Sequence, residues 1–144
     1  MLVTTLAAVV LVVVSACGGD GGQGSGSAGG GNGTADPCQL LTPADVLSVT
    51  KATVTSAKEG EVGCVFDDAD NVTQVELQVD DGGTVENTGD KIPGLGDDSG
   101  YEEIVGFPDL SVVKGTWAFT IDSQGNLTKD EAIALAKIVL NRLP

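Results

Sequence analysis

TQVELQV, residues 73–79, alternates β-branched or apolar side chains with polar ones, and it is the cleanest such stretch in the chain. The two sets are Thr73, Val75, Leu77 and Val79 on one side, and Gln74, Glu76 and Gln78 on the other. A period of two places each set on its own face of a β-strand. Sheets with one buried and one solvated face are typically antiparallel. The stretch therefore predicts an antiparallel sheet with one polar face.

Further strands are predicted on both sides of this one. In chain order, the predicted strands cover residues 62–66, 73–79, 101–105, 110–113 and 116–121. A polar turn is expected over residues 67–71, and Lys114-Gly115 supplies a tight turn before the last strand. Trp117, Phe119 and Ile121 alternate along that strand, which favours a core face over a ligand platform.

Helices are predicted near both ends of a single domain over residues 36–144. Thr42 suits an N-cap and Pro43 the first helical position, so a short helix is expected over residues 43–50. Thr128 and Glu131 have the spacing of a capping box for a final helix. The apolar face of that helix consists of Ala132, Leu135, Ala136, Val139 and Leu143. The predicted fold class is α+β, an antiparallel meander sheet of about five strands with an N-terminal and a C-terminal helix packed on it.

Cys17 ends an apolar run that begins near Leu6, and the small residues Ser15 and Ala16 precede it directly. This arrangement is typical of a bacterial lipoprotein signal, in which residues 1–16 are cleaved and Cys17 carries the lipid. The run is too short for a membrane span, which needs about 20 apolar residues. A buried apolar segment with an ordinary core cysteine is the alternative. The first five residues carry no Lys or Arg, which favours a true start upstream of Met1.

Residues 17–35 are predicted to be the lipidated cysteine followed by a flexible tether, since they are almost wholly Gly, Ser, Ala and small polar residues. A phosphate-binding loop is excluded here because no strand precedes the glycines and no Lys follows them. The predicted location is the extracytoplasmic face of the cell membrane. The lipid on Cys17, acyl chains such as palmitate included, would be the membrane contact.

Acidic residues dominate the chain, with 21 Asp and Glu against 7 Lys and Arg and a formal net charge of −14. Such a charge repels phosphate backbones and anionic headgroups, which excludes nucleic acid as a partner.

The predicted export also bears on the remaining cysteines, Cys38 and Cys64. An even pair in an oxidising compartment predicts a disulfide, worth about 3.5 kcal/mol on the chain-entropy model. Two buried free thiols are the alternative.

Catalysis and metal binding find little support in the sequence. The chain has no His, so a Ser-His-Asp arrangement at Ser99 is impossible, and zinc would lack its usual ligands. Asp67, Asp68, Asp70 and Asn71 form an acidic cluster, but without the frame of an EF-hand they favour a solvated turn over a calcium site. No catalytic residue, metal or cofactor is predicted.

The acidic, Gly-rich loop over residues 80–100 is the best sequence candidate for function. Apolar residues interrupt it, which is typical of a segment that folds against something. The candidate binding residues are Ile92, Pro93, Gly94, Leu95, Gly96 and Asp97. Long loops in compact domains are binding loops, packed parts of the structure or mobile segments. The sequence leaves all three interpretations open for this loop.

Several short motifs occur in a recognisable order behind the lipoprotein signal. They are Asp36-Pro37-Cys38 with Leu40-Leu41-Thr42, Gly63-Cys64-Val65-Phe66, Pro93-Gly94-Leu95-Gly96-Asp97 and Ala134-Leu135-Ala136. Together they resemble the actinobacterial envelope lipoproteins grouped as domain of unknown function 3558. The resemblance implies an exported, lipid-anchored domain with a Cys38–Cys64 disulfide and no established activity.

The predicted function is a non-catalytic binding or accessory role at the cell envelope, with a protein or small-molecule partner that the sequence does not identify. An envelope interaction or assembly protein is the alternative. A carboxylate-dependent hydrolase is a remote one, because acidic residues are abundant but aromatic residues for a sugar platform are few.

Overall fold

The computed structural model describes residues 35–60, 63–68, 74–82 and 88–144. Within these residues it has three helices and seven strands. The helices are α1 (Pro37–Leu40), α2 (Pro43–Thr50) and α3 (Lys129–Arg142). The strands are β1 (Val54–Glu59), β2 (Gly63–Asp68), β3 (Gln74–Asp81), β4 (Asp90–Lys91), β5 (Asp98–Ile104), β6 (Phe107–Lys114) and β7 (Trp117–Gln124). The predicted signal peptide, Cys17 and the predicted tether up to residue 34 lie outside the described residues.

The strands form one antiparallel sheet in the order β1-β2-β3-β7-β6-β5-β4. Two meanders, β1 to β3 and β4 to β7, are joined where β3 pairs with β7 along its whole length. After β3 the chain therefore crosses to the far edge of the sheet and returns strand by strand to the centre. The α+β prediction is confirmed in its antiparallel sheet with helices.

The sheet is larger than predicted, with seven strands rather than about five. β1 is an edge strand whose side chains are mostly exposed, so it has no apolar alternation to detect. β4 is only two residues long. The predicted turn over residues 67–71 was wrong at its start, because Asp67 and Asp68 belong to β2. The predicted loop over residues 80–100 was also too long, since it includes the end of β3, all of β4 and the start of β5.

All three helices contribute to one hydrophobic core on one face of the sheet. The sheet residues in that core include Phe66, Val75, Leu77, Leu110, Val112, Phe119 and Ile121. The helix residues include Leu40, Val46, Ala132, Leu135, Ala136 and Val139. The alternation predicted for residues 73–79 is confirmed over its described part, because Val75 and Leu77 are fully buried while Glu76 and Gln78 are not.

Both predicted helices have the expected caps. α2 covers residues 43–50, and the Thr42 and Asp45 side chains each accept the other's backbone N–H. Thr128 and Glu131 make the same reciprocal pair at the start of α3. These caps satisfy backbone N–H groups that the first turn of a helix leaves without partners.

The predicted disulfide is confirmed: the Cys38 and Cys64 sulfurs are 2.03 Å apart and their Cα atoms 5.1 Å apart. Cys38 lies in α1, a separate short helix that was not predicted from the sequence. It is not part of the helix over residues 43–50. Asp36 caps α1 by accepting from the Cys38 N–H at 2.9 Å. The bridge therefore fastens α1 to β2, and the alternative of two free thiols is excluded.

Arg142 holds the three helices together at the end of α3. Its guanidinium donates to both carboxylate oxygens of Asp45, at 2.6 and 3.0 Å, and to the Leu40 carbonyl at 3.1 Å. The hydrogen bond from Arg142 is the main reason that the pKa of Asp45 lies below its ordinary value. Among the helices that the structure describes, none is long and apolar enough to cross a membrane.

Candidate functional site: an acidic cleft on the polar face of the sheet

The polar face of the sheet carries three carboxylates in a line, here called the acidic row. Glu76 on β3 pairs in register with Asp122 on β7, and Asp122 pairs in register with Asp109 on β6. Directly opposed residues on neighbouring antiparallel strands have Cβ atoms about 5 Å apart. Like charges at that separation repel one another and destabilise the folded state, and in this row the repulsion extends across three adjacent strands.

Asp122, the central member, is the most perturbed carboxyl of the row. Partial burial is the largest cause, followed by the hydrogen bond with Asp109 and by the negative charges of Asp109 and Glu76. Together they raise the pKa of Asp122 from an ordinary 3.8 to about 7. At neutral pH this carboxyl is therefore divided between its neutral and charged forms, and it can gain or lose a proton when a charged group approaches.

Among the described residues, two neutral side chains donate long hydrogen bonds to the carboxylates of the row. Gln78 Nε2 donates to Asp122 Oδ2 at 3.4 Å, and Ser111 Oγ donates to Asp109 Oδ1 at 3.2 Å. The cleft beside the row has a volume of about 480 Å³. It is lined by Gln74, Glu76, Ile104, Phe107, Pro108, Asp109, Asp122, Ser123 and Gln124. No Lys or Arg stands among these described lining residues, so nothing in the lining offsets the negative charge.

Apolar side chains form one wall of the cleft, at the tip of the β5–β6 hairpin. This hairpin tip, residues 104–107, includes Ile104, Val105 and Phe107, which are 57%, 89% and 50% exposed. Ile104 and Phe107 pair across the hairpin, two residues along from Glu102 and Asp109. Because side chains two apart in a strand share a face, Ile104 and Phe107 lie on the same face of the sheet as the acidic row. Apolar and acidic groups thus adjoin on one open surface.

The hairpin tip has an unusual backbone. Val105 has φ +54° and Gly106 has φ +82°, the pair of positive values that a two-residue type I′ turn requires. Gly, Asn and Asp favour such positions, whereas a β-branched residue is strained there. An exposed, strained valine contributes nothing to the core, so its place at this tip is not explained by packing.

The predicted binding loop, residues 92–97, lies away from this cleft and is held by the fold. Leu95 is buried in the core. The Asp97 carboxylate accepts from the Gly115 N–H at 2.7 Å, and the Asp97 N–H donates to the Val113 carbonyl at 2.7 Å. The hydrogen bond from Gly115 is the main cause of a lowered pKa for Asp97. These contacts give Leu95 and Asp97 structural roles, and a binding role for the loop stays a prediction.

The acidic cluster predicted at residues 67–71 is only partly described. Asp67 is buried, makes an ion pair with Lys58 and accepts from Gln74 Nε2 at 2.9 Å. The hydrogen bond from Lys58 is the largest cause of the lowered pKa of Asp67. Asp70 and Asn71 lie outside the described residues. Within the part of the chain that the structure describes, no group of three or more acidic or cysteine side chains is placed to hold a metal ion.

A second cleft, of about 690 Å³, lies between the start of α3 and β5. Lys129 Nζ stands 4.7 Å from the centre of the Tyr101 ring and 3.3 Å from Asp90 Oδ2. The lysine in this cleft is therefore already paired within the protein.

The acidic row was not found from sequence because its members come from three separate strands. The alternation of residues 73–79 placed Glu76 on the polar face, and continuing the pattern of residues 116–121 by one step reaches Asp122. Only the pairing of β3 with β7, which are distant in sequence, brings Glu76 and Asp122 together. Comparisons with protein-family models, with curated proteins and with solved structures find no match to this chain.

Proposed function

We propose that this chain is a lipid-anchored protein of the cell envelope with a non-catalytic accessory role, and that it acts by binding another envelope protein. The residues before Cys17 support the anchor. The Cys38–Cys64 disulfide supports an oxidising compartment, because such bonds persist mainly in exported proteins.

The hairpin tip is the observation that carries the binding role. Three large apolar side chains are exposed together beside a cleft, and contiguous exposed apolar surface marks interaction sites on soluble domains. A carrier of apolar ligands would instead need a cavity between sheet and helices. The described side chains in that position, such as Leu77, Phe119 and Leu135, are fully buried against one another. A protein partner is therefore favoured over a carried ligand.

The anchor is tested by metabolic labelling with an alkyne fatty acid in a bacterium that processes lipoproteins, with a short basic leader added ahead of Met1. The full-length chain should take up label and sediment with membranes. Cys17→Ala should lose both, while Ser25→Ala serves as the matched control. Equal labelling of the Cys17→Ala variant would overturn the anchor.

Binding is tested by placing a photo-cross-linking amino acid at position 107 in the full-length protein in cells. Adducts with a protein, identified by mass spectrometry of the cross-linked peptide, should form from position 107. The same amino acid at Lys137, an exposed position on α3, is the control and should give none. Absence of adducts at position 107 in correctly located protein would contradict the proposal.

A carboxylate-dependent hydrolase is the second candidate, because Asp109 and Asp122 share a hydrogen bond and one of them has a pKa of about 7. That value suits a general acid or base at neutral pH. The contact between the two carboxyls counts against glycoside hydrolysis, in which they stand roughly 5 Å or more apart. Hydrolysis of a glycan or peptide panel, lost in Asp122→Asn and kept in Asp130→Asn, would establish this activity in place of the binding role.

A further inference from the structure

We propose that the cleft and the hairpin tip together bind a basic, amphipathic segment of a partner protein, with its cationic groups on the acidic row and its apolar groups on Ile104 and Phe107. This inference rests on the proposed binding function and names the chemistry of the partner.

Charge complementarity is the first support. The cleft presents Glu76, Asp109 and Asp122, and none of its described lining residues is basic. A cation placed over the row would relieve the repulsion that the sheet register imposes on these carboxylates. The net charge of −14 would also accelerate encounter with a basic partner and slow encounter with acidic ones.

The same charge argues against the other occupants of an exposed apolar surface. A second copy of the chain docked through this face would bring two acidic rows together without any basic residue of the lining between them. An anionic membrane surface would likewise be repelled. A partner segment that carries Lys or Arg is the occupant that this surface favours.

The apolar groups supply the second half of the recognition. Ile104 and Phe107 lie on the same face as Asp109 and form a wall of the cleft. A volume of about 480 Å³ accommodates a few side chains rather than a folded element. A segment that alternates basic and apolar residues would therefore place one type on the row and the other on the hairpin tip.

Binding of this kind should depend on pH. The titratable groups that face Asp122 are Asp109 on β6 and Glu76 on β3, both acidic. A bound cation stabilises the ionised form of Asp122, whose pKa in the free protein is about 7. Since the neutral form must first release its proton, affinity should rise as pH increases from 6 to 8.

The test uses the full-length lipidated protein in detergent and three peptides labelled with fluorescein at the N-terminus, with the sequences KLKLKL-NH₂, KSKSKS-NH₂ and ELELEL-NH₂. Anisotropy titration at pH 8 should give the first peptide an affinity about tenfold higher than either control peptide, since it alone satisfies both halves of the site. Asp122→Asn should weaken its binding by about tenfold and remove most of the pH dependence. Phe107→Ser should weaken it by about fivefold.

Matched variants separate this site from general attraction to an acidic protein. Asp130→Asn removes the same charge from the outer side of α3, and Leu47→Ser removes an exposed apolar side chain from α2. Both should bind like the wild type. Equal losses in Asp122→Asn and Asp130→Asn, or equal affinity for the KLKLKL and KSKSKS peptides, would overturn the inference.

The two proposals fail in different ways. If position 107 cross-links to an identified envelope protein while the basic peptides bind no better than the acidic one, the partner chemistry is wrong and the binding function stands. If neither cross-linking nor peptide binding occurs, both proposals fail.

Discussion

Val105 combines a left-handed backbone with a β-branched side chain at the most exposed point of the hairpin tip. L-residues pay about 1–2 kcal/mol for that conformation, and valine lacks the short polar group by which Asn reduces the cost. Strain of this kind persists where something other than stability retains the residue. A contact with a partner, as proposed for the hairpin tip, is such a reason.

Val105→Asn should therefore stabilise the protein, because Asn accepts the type I′ turn. We expect an increase of about 1 kcal/mol in the free energy of unfolding, or about 4 °C in Tm. Thermal denaturation followed by circular dichroism measures it. Thr116→Asn in the β6–β7 turn is the control, since Thr116 has a negative φ and gains nothing. A Val105→Asn variant no more stable than wild type would show that the valine is not strained.

The disulfide and the Arg142 contacts hold the short N-terminal helices in place. α1 has only four residues and α2 eight, too short to be stable alone. The bridge to β2 fastens α1, and the Arg142 guanidinium fastens the start of α2 to the end of α3. These two independent attachments therefore stabilise α1 and α2, whose own helix propensity is too weak to do so.

Replacing both cysteines, Cys38→Ala with Cys64→Ala, should lower the free energy of unfolding by about 3.5 kcal/mol, because the loop of 26 residues regains its freedom in the unfolded chain. Urea denaturation followed by the fluorescence of Trp117, the one tryptophan of the chain, measures the loss. The wild type under reducing conditions should unfold at a similarly lowered urea concentration. No difference between oxidised and reduced protein would contradict this role of the bridge.

Arg142→Lys should cost about 1 kcal/mol, although it keeps the charge. A lysine is a single point donor and cannot make the paired contacts with Asp45 while also reaching the Leu40 carbonyl. The same urea experiment tests it, with Lys137→Arg, on the exposed side of α3, as the control. An unchanged midpoint for Arg142→Lys would show that charge alone holds the helices.

Elements specified by neighbouring residues were predictable from sequence, and elements specified by distant pairing were not. The capping boxes at Thr42 and Thr128, and the alternation through Val75 and Leu77, depend on residues within one turn or one strand. β1 escaped detection because an exposed edge strand carries no apolar pattern, and the acidic row escaped because β3 and β7 pair across a long separation. Long-range register is the physical information that local patterns lack.

Carboxyls with lowered and with raised pKa values change the stability of this protein in opposite directions as the pH changes. The pKa values of Asp45 and Asp67 are lowered, mainly by hydrogen bonds from Arg142 and Lys58. Their contribution is present above the unfolded pKa of about 4 and is lost on acidification. The raised pKa of Asp122 has the reverse sign. Below about pH 4 the Asp122 carboxyl is neutral in both the folded and the unfolded chain, and the folded state bears no cost from it. As the pH rises through 7 the carboxyl must ionise in the folded state as well, and that stability is lost.

Stability should consequently pass through a maximum at about pH 4 to 5 and decline towards pH 8. From pH 5 to 8 we expect a loss on the order of 1–2 kcal/mol, a figure reduced from the full pKa shift because Asp122 is only partly buried and solvent screens its neighbours. Urea denaturation at half-unit pH steps measures the profile. Asp122→Asn should flatten the decline above pH 5, because Asn does not ionise beside the other two carboxylates of the row. The loss of stability below about pH 4 should be unchanged. Asp130→Asn should keep the wild-type slope, so a decline equally reduced by both variants would assign the effect to net charge and not to the acidic row.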